Sequence, residues 1–245
     1  MKLSYRLRQV AEMITPCEVV ADVGTDHGYV PIYLIQHGIC KKAIAMDINA
    51  GPLRRAKDNI CREHLTDLIE TRRSDGLQAL REDEADAVVM SGIGGELMIR
   101  ILEDGKQLLR TVSELVLSPH SELALVRKYL TENDFYISDE TMLIDEDKFY
   151  TILKVSCEKD FCEINFHENI SHGKEESYTE LELNYGRILL RKKDKVLFEY
   201  LKREKNKYNQ IAQRLQENAA EHGKIRLEEI RKQIKLTEQA LNDIV

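Results

Sequence analysis

Apolar positions along the 245-residue chain fall into two patterns that alternate. Leu7, Val10, Ala11 and Ile14 recur at helical spacing, which predicts an amphipathic helix over residues 4–15. Val19, Val20, Ala21 and Val23 form a short, β-branched run instead, as expected of a strand covered on both faces. The alternation then repeats. Strands are predicted over 42–48, 69–75, 87–90 and 114–118, and helices over 29–37, 50–64, 96–109 and 122–131. Residues 135–144 and 149–156 read as two strands joined by the acidic turn Asp145-Glu146-Asp147-Lys148. Five strand–helix units finished by a hairpin predict an α/β fold: a Rossmann-like, doubly wound parallel sheet with an antiparallel edge.

Ligands of such sheets sit beyond the carboxyl ends of the strands. The first strand ends in Asp22-Val-Gly-Thr-Asp-His-Gly28, where Gly24 permits a sharp exit and Gly28 a close approach to backbone. The second ends at Asp47, placed to accept from ribose hydroxyls; its alternative role is the N-cap of the next helix. The third ends at Asp75-Gly76. The fourth runs into Ser91-Gly92-Ile93-Gly94-Gly95, a nearly bare turn on which a flat ring or a cofactor tail could lie against backbone. Four such loops at one rim say more than any of them alone.

The composition changes after residue 156. Residues 158–182 read as an acidic, irregular connector with a short strand at 161–166. Between Arg187 and Arg214 ten basic residues face three acidic ones, inside a chain of net charge −7. Leu197, Leu201, Tyr208, Ile211 and Leu215 form one apolar stripe, and Leu227, Ile230, Ile234, Leu241 and Ile244 another, with a break expected at Gly223. Two stripes flanking a break predict an antiparallel, coiled-coil-like helical hairpin. The domain plan is therefore 1–157 for the sheet and 158–245 for connector and hairpin.

The overall negative charge leaves any nucleic-acid contact to a local patch. Five scattered cysteines without a Cys-x-x-Cys read as reduced thiols, and no spacing suggests a metal site. No apolar stretch suits a membrane span or a signal peptide, so the chain reads as mature and cytoplasmic. The oligomeric state stays open, with a monomer favoured.

Asp22-Val-Gly-Thr-Asp-His-Gly-Tyr-Val-Pro31, Gly92-Ile-Gly-Gly95 and Asp145-Glu-Asp-Lys-Phe-Tyr150 resemble the class I S-adenosylmethionine-dependent methyltransferases. More narrowly, they resemble the bacterial tRNA adenine-22 N1-methyltransferases, the TrmK family. The resemblance spans the chain, helical tail included. It departs at Ile93, where the family usually has Met, and at Ser118-Pro119-His120, where it usually has Gln-Pro-Asn. It implies S-adenosyl-L-methionine as cofactor and tRNA as substrate. It further implies that Asp22, Gly24 and His27 surround the methionine end of the cofactor, with Asp26 in the same loop. Asp47 would hold the ribose and Ile48 the adenine, Asp75 and Gly76 would meet the adenine amino edge, and Ser91, Gly92, Ile93 and Gly94 would lie beneath. The basic first helix of the hairpin, with Arg191, Lys192, Lys193 and Lys202, would run along the tRNA backbone; on composition alone it could equally be a solvated face.

Methyl transfer to N1 of a neutral adenine needs no prior deprotonation, so orientation and exclusion of water carry most of the catalysis. A carboxylate stabilises the positive charge that develops on the ring. Asp26 is the first candidate and Glu96 the second; Asp26 could instead cap the helix over 29–37. His27 fits a pocket wall or a proton acceptor, Tyr29 a stacking partner for the base or plain packing, and His120 the place of the missing asparagine or a surface position. The alternatives at the level of function are a methyltransferase for protein or small molecules, and a non-catalytic cofactor-binding module. A nicotinamide dehydrogenase would want Gly-x-Gly-x-x-Gly after the first strand, which Gly24-x-x-x-Gly28 does not supply.

Overall fold

The computed structural model describes residues 3–157, 177–217 and 221–244. The chain divides into two compact units, Met1–Ser177 and Tyr178–Val245. The connector proposed for 158–182, with its strand at 161–166, falls largely outside the described residues.

The first unit is built in the order α1 (Tyr5–Glu12), β1 (Cys17–Val23), α2 (Tyr29–Gln36), β2 (Cys40–Asp47), α3 (Ala50–Arg62), β3 (Ile69–Arg73) and β4 (Ala87–Ser91). It continues with α4 (Gly95–Asp104), β5 (Glu114–Ser118), α5 (Leu123–Glu132), β6 (Tyr136–Asp145) and β7 (Lys148–Ser156). The sheet order is β3-β2-β1-β4-β5-β7-β6. Strands β1 to β5 are parallel, and β7 runs antiparallel to both β5 and β6. The order reverses between β1 and β4, and at such a switch point the connections leave to opposite faces and open a crevice.

Residues of one parity, Val20, Ala43, Ala45, Val89 and Val116, share a core with Val10 of α1, Ile32 and Leu34 of α2, and Ile60 of α3. Those of the other parity, Ile44, Met46, Val88, Met90, Leu115 and Leu117, are equally buried. Burial on both faces is why these strands read as continuous apolar runs. The hairpin between β6 and β7 is tighter than its four acidic and basic residues suggest. Pairing extends to Asp145 and Lys148, and only Glu146 and Asp147 make the turn, both with positive φ (49° and 60°). That is the two-residue turn whose twist matches the strands.

The helix expected over 96–109 is broken. α4 ends at Asp104, Gly105 follows, and a short 3-10 turn spans Leu108–Thr111. Gly105 packs against Leu77, leaving no room for a Cβ. Periodicity alone could not reveal that close approach.

In the second unit, α6 (Glu180–Tyr185) and α7 (Arg187–Arg191) precede two long helices, α8 (Lys195–Glu217) and α9 (Glu221–Ile244). α6 starts inside the stretch read as irregular. Thr179 and Glu182 form a reciprocal capping box there, a Thr-x-x-Glu signature the sequence does contain. α8 and α9 pack along one another. Leu197, Leu201, Ile230 and Ile244 are buried between helices, and Lys205 Nζ meets Glu238 Oε1 at 2.9 Å. That register is the one for helices running in opposite directions. Gly223 does not mark the break: α9 already includes it in its first turn, where glycine forfeits little because the first N–H groups have no intrahelical partner anyway. No helix among the described residues is long and apolar enough to cross a membrane.

Candidate active site

The four loops singled out by the sequence meet at one rim of the sheet. Gly24 and Thr25 donate their backbone N–H groups to Met46 O (2.9 and 2.8 Å), tying the turn after β1 to the end of β2. Ser74 N donates to Asp47 O (3.0 Å), bringing the exit of β3 against the same strand end. Gly92 N donates to Ser118 O and His120 N to Ile93 O, joining the β4 loop to the β5 loop. Ile93 closes the gap between the halves: its Cγ2 lies 3.3 Å from where a Cβ on Gly24 would stand.

Asp22 is buried at this rim, and its carboxyl is pushed up to about 6. Burial is the main cause; the Thr25 hydroxyl pulls the other way and the Asp47 charge adds to the rise. Asp47 is half-buried and accepts from Asn49 N through Oδ1 (2.6 Å). It is not the cap of α3, since Asn49 occupies that position. Ile48 is 48% exposed beside it, a large apolar side chain left on the crevice wall. Asp75 is exposed, and Gly76 takes a positive φ with Ile101 packed where its side chain would be.

Asp26 is not the cap of α2. That position belongs to Gly28, which has φ 68° and carries no side chain to cap with. The Asp26 carboxylate instead pairs with Arg55 Nη2 at 2.7 Å and lies 3.6 Å from His27 Nε2. His27, itself at φ 65°, stacks on Tyr29 with ring centroids 5.0 Å apart. Glu96 is exposed in the first turn of α4.

On the other side of the glycine loop, a Cβ added to Gly92 would lie 3.4 Å from His120 Nε2 and 3.9 Å from the Arg6 guanidinium. The His120 ring is tilted against Tyr150, centroids 6.1 Å apart. Burial, then the charges of Arg6 and Lys148, hold the imidazole below its usual value and so favour its neutral form. Ser91 Oγ accepts from Arg6 Nη1 at 3.2 Å. Arg6 and Tyr150 were not among the sequence candidates. The signal for Arg6 is weak, an arginine on an otherwise ordinary amphipathic helix, and only the fold brings it to Ser91.

Two cavities lie among the described residues of the first unit, one away from this rim and one bordering it. A cavity of about 700 Å³ is lined by Cys17, Asp86 and Glu114, at the amino ends of β1, β4 and β5. One of about 280 Å³ borders Asp75 and Gly76 but continues along α4 to Asp104 and Gln107. In the second unit, Arg191, Lys192, Lys193 and Lys202 are all exposed, and Lys202 Nζ sits 4.1 Å over the Phe198 ring.

Comparison with known proteins agrees with this fold. The family described as a methyltransferase domain matches residues 3–153. The tRNA (adenine(22)-N(1))-methyltransferase of Bacillus subtilis (strain 168) is 37% identical over 153 residues, covering 62% of this chain and 64% of that protein. The crystal structure of the B. subtilis m1A22 tRNA methyltransferase TrmK superposes with a TM-score of 0.81 at 29% identity, covering 98% of this chain and 99% of that one. TrmK of M. capricolum, in complex with its natural cofactor product S-adenosyl-homocysteine, gives a TM-score of 0.81 at 26% identity, covering 100% of both chains. This chain belongs to the methyltransferase-domain family.

Proposed function

We propose that the protein methylates N1 of adenine 22 in tRNA, with S-adenosyl-L-methionine as methyl donor. The observation that carries this reading is the meeting of Asp22, Asp47 and the Gly92–Gly94 turn at one strand rim, in a chain whose relatives are named for that reaction.

The residues present fit that cofactor. Ile48 offers an exposed apolar face for an adenine ring, and Asp47 retains an oxygen for ribose hydroxyls beyond the one committed to Asn49 N. Gly24 and Gly92, both at positive φ, leave backbone open where a flexible tail would pass. Asp22, Asp26 and His27 border that end, and Asp75 and Gly76 the adenine edge. S-adenosylmethionine supplies an electrophilic methyl group when bound.

The N1 lone pair of a neutral adenine is nucleophilic, so the chain has no proton to remove first. Its work is to hold the base in line and exclude water. The target base has to be turned out of the folded RNA to enter the crevice, where Tyr29 and His120 are the candidates to contact it. Asp26 balances the charge that develops on the ring and accepts the N6 proton at its carboxylate once the ring is cationic; Glu96 is the second carboxylate in reach of that role. The exposed Arg191, Lys192, Lys193 and Lys202 supply phosphate contacts. The test is incubation of the purified protein with labelled cofactor and unmodified tRNA, followed by mapping of the modified nucleoside. Label in 1-methyladenosine at position 22 is the expected result. Label elsewhere, or in no RNA, overturns the reading.

A further inference from the structure

We propose that Arg6 is the oxyanion receptor of the active site, an inference that rests on the function just proposed and adds to it a binding role for a residue outside the nucleotide-binding loops. Four observations converge on this guanidinium. First, it is positioned rather than free. Arg6 lies in the first turn of α1, which Ser4 caps by accepting from Leu7 N. Val10 and Ala11, fully buried, fix that helix to the sheet. Arg6 N donates to Asp145 Oδ2 at 3.1 Å, so the helix start is also tied to the β6–β7 hairpin.

Second, the guanidinium is held on two sides. Nη1 donates to Ser91 Oγ at 3.2 Å, and the guanidinium carbon stands 5.0 Å from the centre of the Tyr150 ring. A planar, five-donor cation packed on an aromatic face keeps donors for a planar or tetrahedral anion.

Third, no carboxylate among the described residues forms an ion pair with it. Its one acidic neighbour in the bonding pattern, Asp145, is engaged by the backbone N–H. A guanidinium that the chain leaves without a carboxylate partner is available to pair with an oxyanion of a ligand.

Fourth, the guanidinium borders the glycine turn. Arg6 and Lys148 both act on His120, and Gly92 has no side chain to screen Arg6 from the crevice, since a Cβ there would lie 3.9 Å from the guanidinium.

The ligand chemistry is a carboxylate or phosphate oxyanion carried by one of the two substrates. One source is the amino-acid carboxylate of the cofactor, and the other is a phosphodiester next to the target adenosine. Arg6→Gln keeps a hydrogen-bond donor for Ser91 and removes the charge; Arg6→Lys keeps the charge.

Three ligands separate the cases by equilibrium titration and steady-state kinetics on the full chain: S-adenosylhomocysteine, 5′-methylthioadenosine (which lacks the amino-acid tail) and tRNA. If the cofactor carboxylate is the ligand, Arg6→Gln weakens S-adenosylhomocysteine by about 10- to 100-fold and leaves methylthioadenosine unchanged. If a phosphodiester is the ligand, both nucleosides bind as in wild type. The KM for tRNA rises by a similar factor, and its dependence on log salt flattens by about one. In either case Arg6→Lys restores part of the loss and the unfolding midpoint stays put. Unchanged binding of all three ligands overturns the inference. So does a uniform loss, methylthioadenosine included, with a lowered midpoint, because that is the signature of a helix tether. A wild-type chain that methylates no tRNA overturns the proposed function instead, and the cofactor arm remains readable without RNA.

Discussion

Arg55 Nη2 lies 2.7 Å from Asp26 Oδ1, a bond that ties α3 to the turn after β1 across 29 positions of sequence. Both side chains are about half exposed, so the pair adds well under ~1 kcal/mol to folding. Its consequence is directional. Asp26 is turned toward Arg55 of α3 rather than toward the helix start that the sequence allowed it to cap. Asp26→Asn is expected to lower kcat by about 100-fold or more while shifting cofactor affinity less than threefold. Arg55→Ala should lower kcat less and leave the unfolding midpoint in place. Equal losses in kcat and cofactor affinity for Asp26→Asn would make Asp26 a cofactor-holding residue.

Asp22 makes stability depend on pH in a particular sense. Burial raises its folded-state value from 3.8 to about 6, so the unfolded chain gives up this proton more readily than the folded one. The neutral acid contributes fully below the unfolded value of about 4. That contribution fades as pH rises through about 6, reaching at most ~3 kcal/mol of lost stability at neutral pH. Asp22→Asn, which removes the titration, is therefore expected to stabilise the ligand-free protein at pH 8 relative to wild type. At pH 4 the difference should shrink or vanish. Urea unfolding of both proteins at the two pH values measures it, and a gain that does not change with pH would remove Asp22 ionisation as the cause.

Gly92 and Gly95 sit in one turn but are bare for different reasons. A Cβ on Gly95 would stand 2.5 Å from Ser121 O and 2.9 Å from Glu122 Cβ. Backbone would have to move, so Gly95→Ala should lower stability by about 1–3 kcal/mol. Gly92 has φ 85°, and its nearest neighbours are the side-chain ends of His120 and Arg6 rather than backbone. Gly92→Ala should lower stability by about 1–2 kcal/mol through backbone strain, and it places a methyl group between the two sides of the crevice. Differential scanning calorimetry with and without S-adenosylhomocysteine distinguishes them. The ligand-induced rise in midpoint should survive in Gly95→Ala and be reduced in Gly92→Ala.

The sheet was legible because its strands are covered on both faces. Val88, Val89 and Met90, or Leu115, Val116 and Leu117, have nowhere polar to point, and their periodicity carries that fact. The acids and glycines at strand ends were legible for a related reason, since topology places every parallel strand's carboxyl end at one rim. What periodicity does not encode is contact between distant segments. The break at Gly105 depends on Leu77, the direction of Asp26 on Arg55, and the place of Arg6 on Ser91 and Tyr150. Each is a pairing between residues that the sequence separates by 28 or more positions. The capping box at Thr179 is a different kind of miss, a local signal masked by an acidic stretch that resembles a connector.

The basic stripe of the second unit is open to the most direct electrostatic test. Lys192 and Lys193 follow the end of α7, both are exposed, and Lys193 takes a left-handed conformation with φ 52°. Replacing both by glutamate reverses their charge at exposed positions and leaves the backbone demand at residue 193 much the same, so folding should change by less than ~0.5 kcal/mol. If these residues contact phosphates, two attractive terms become repulsive. The KM for tRNA should then rise about tenfold or more at low salt, and the difference from wild type should narrow as salt screens it. Affinity for S-adenosylhomocysteine should stay the same, because the cofactor residues belong to the other unit. A KM that does not move at any salt concentration would leave the stripe as a solvated helix face, and the tRNA would have to be held by the first unit alone.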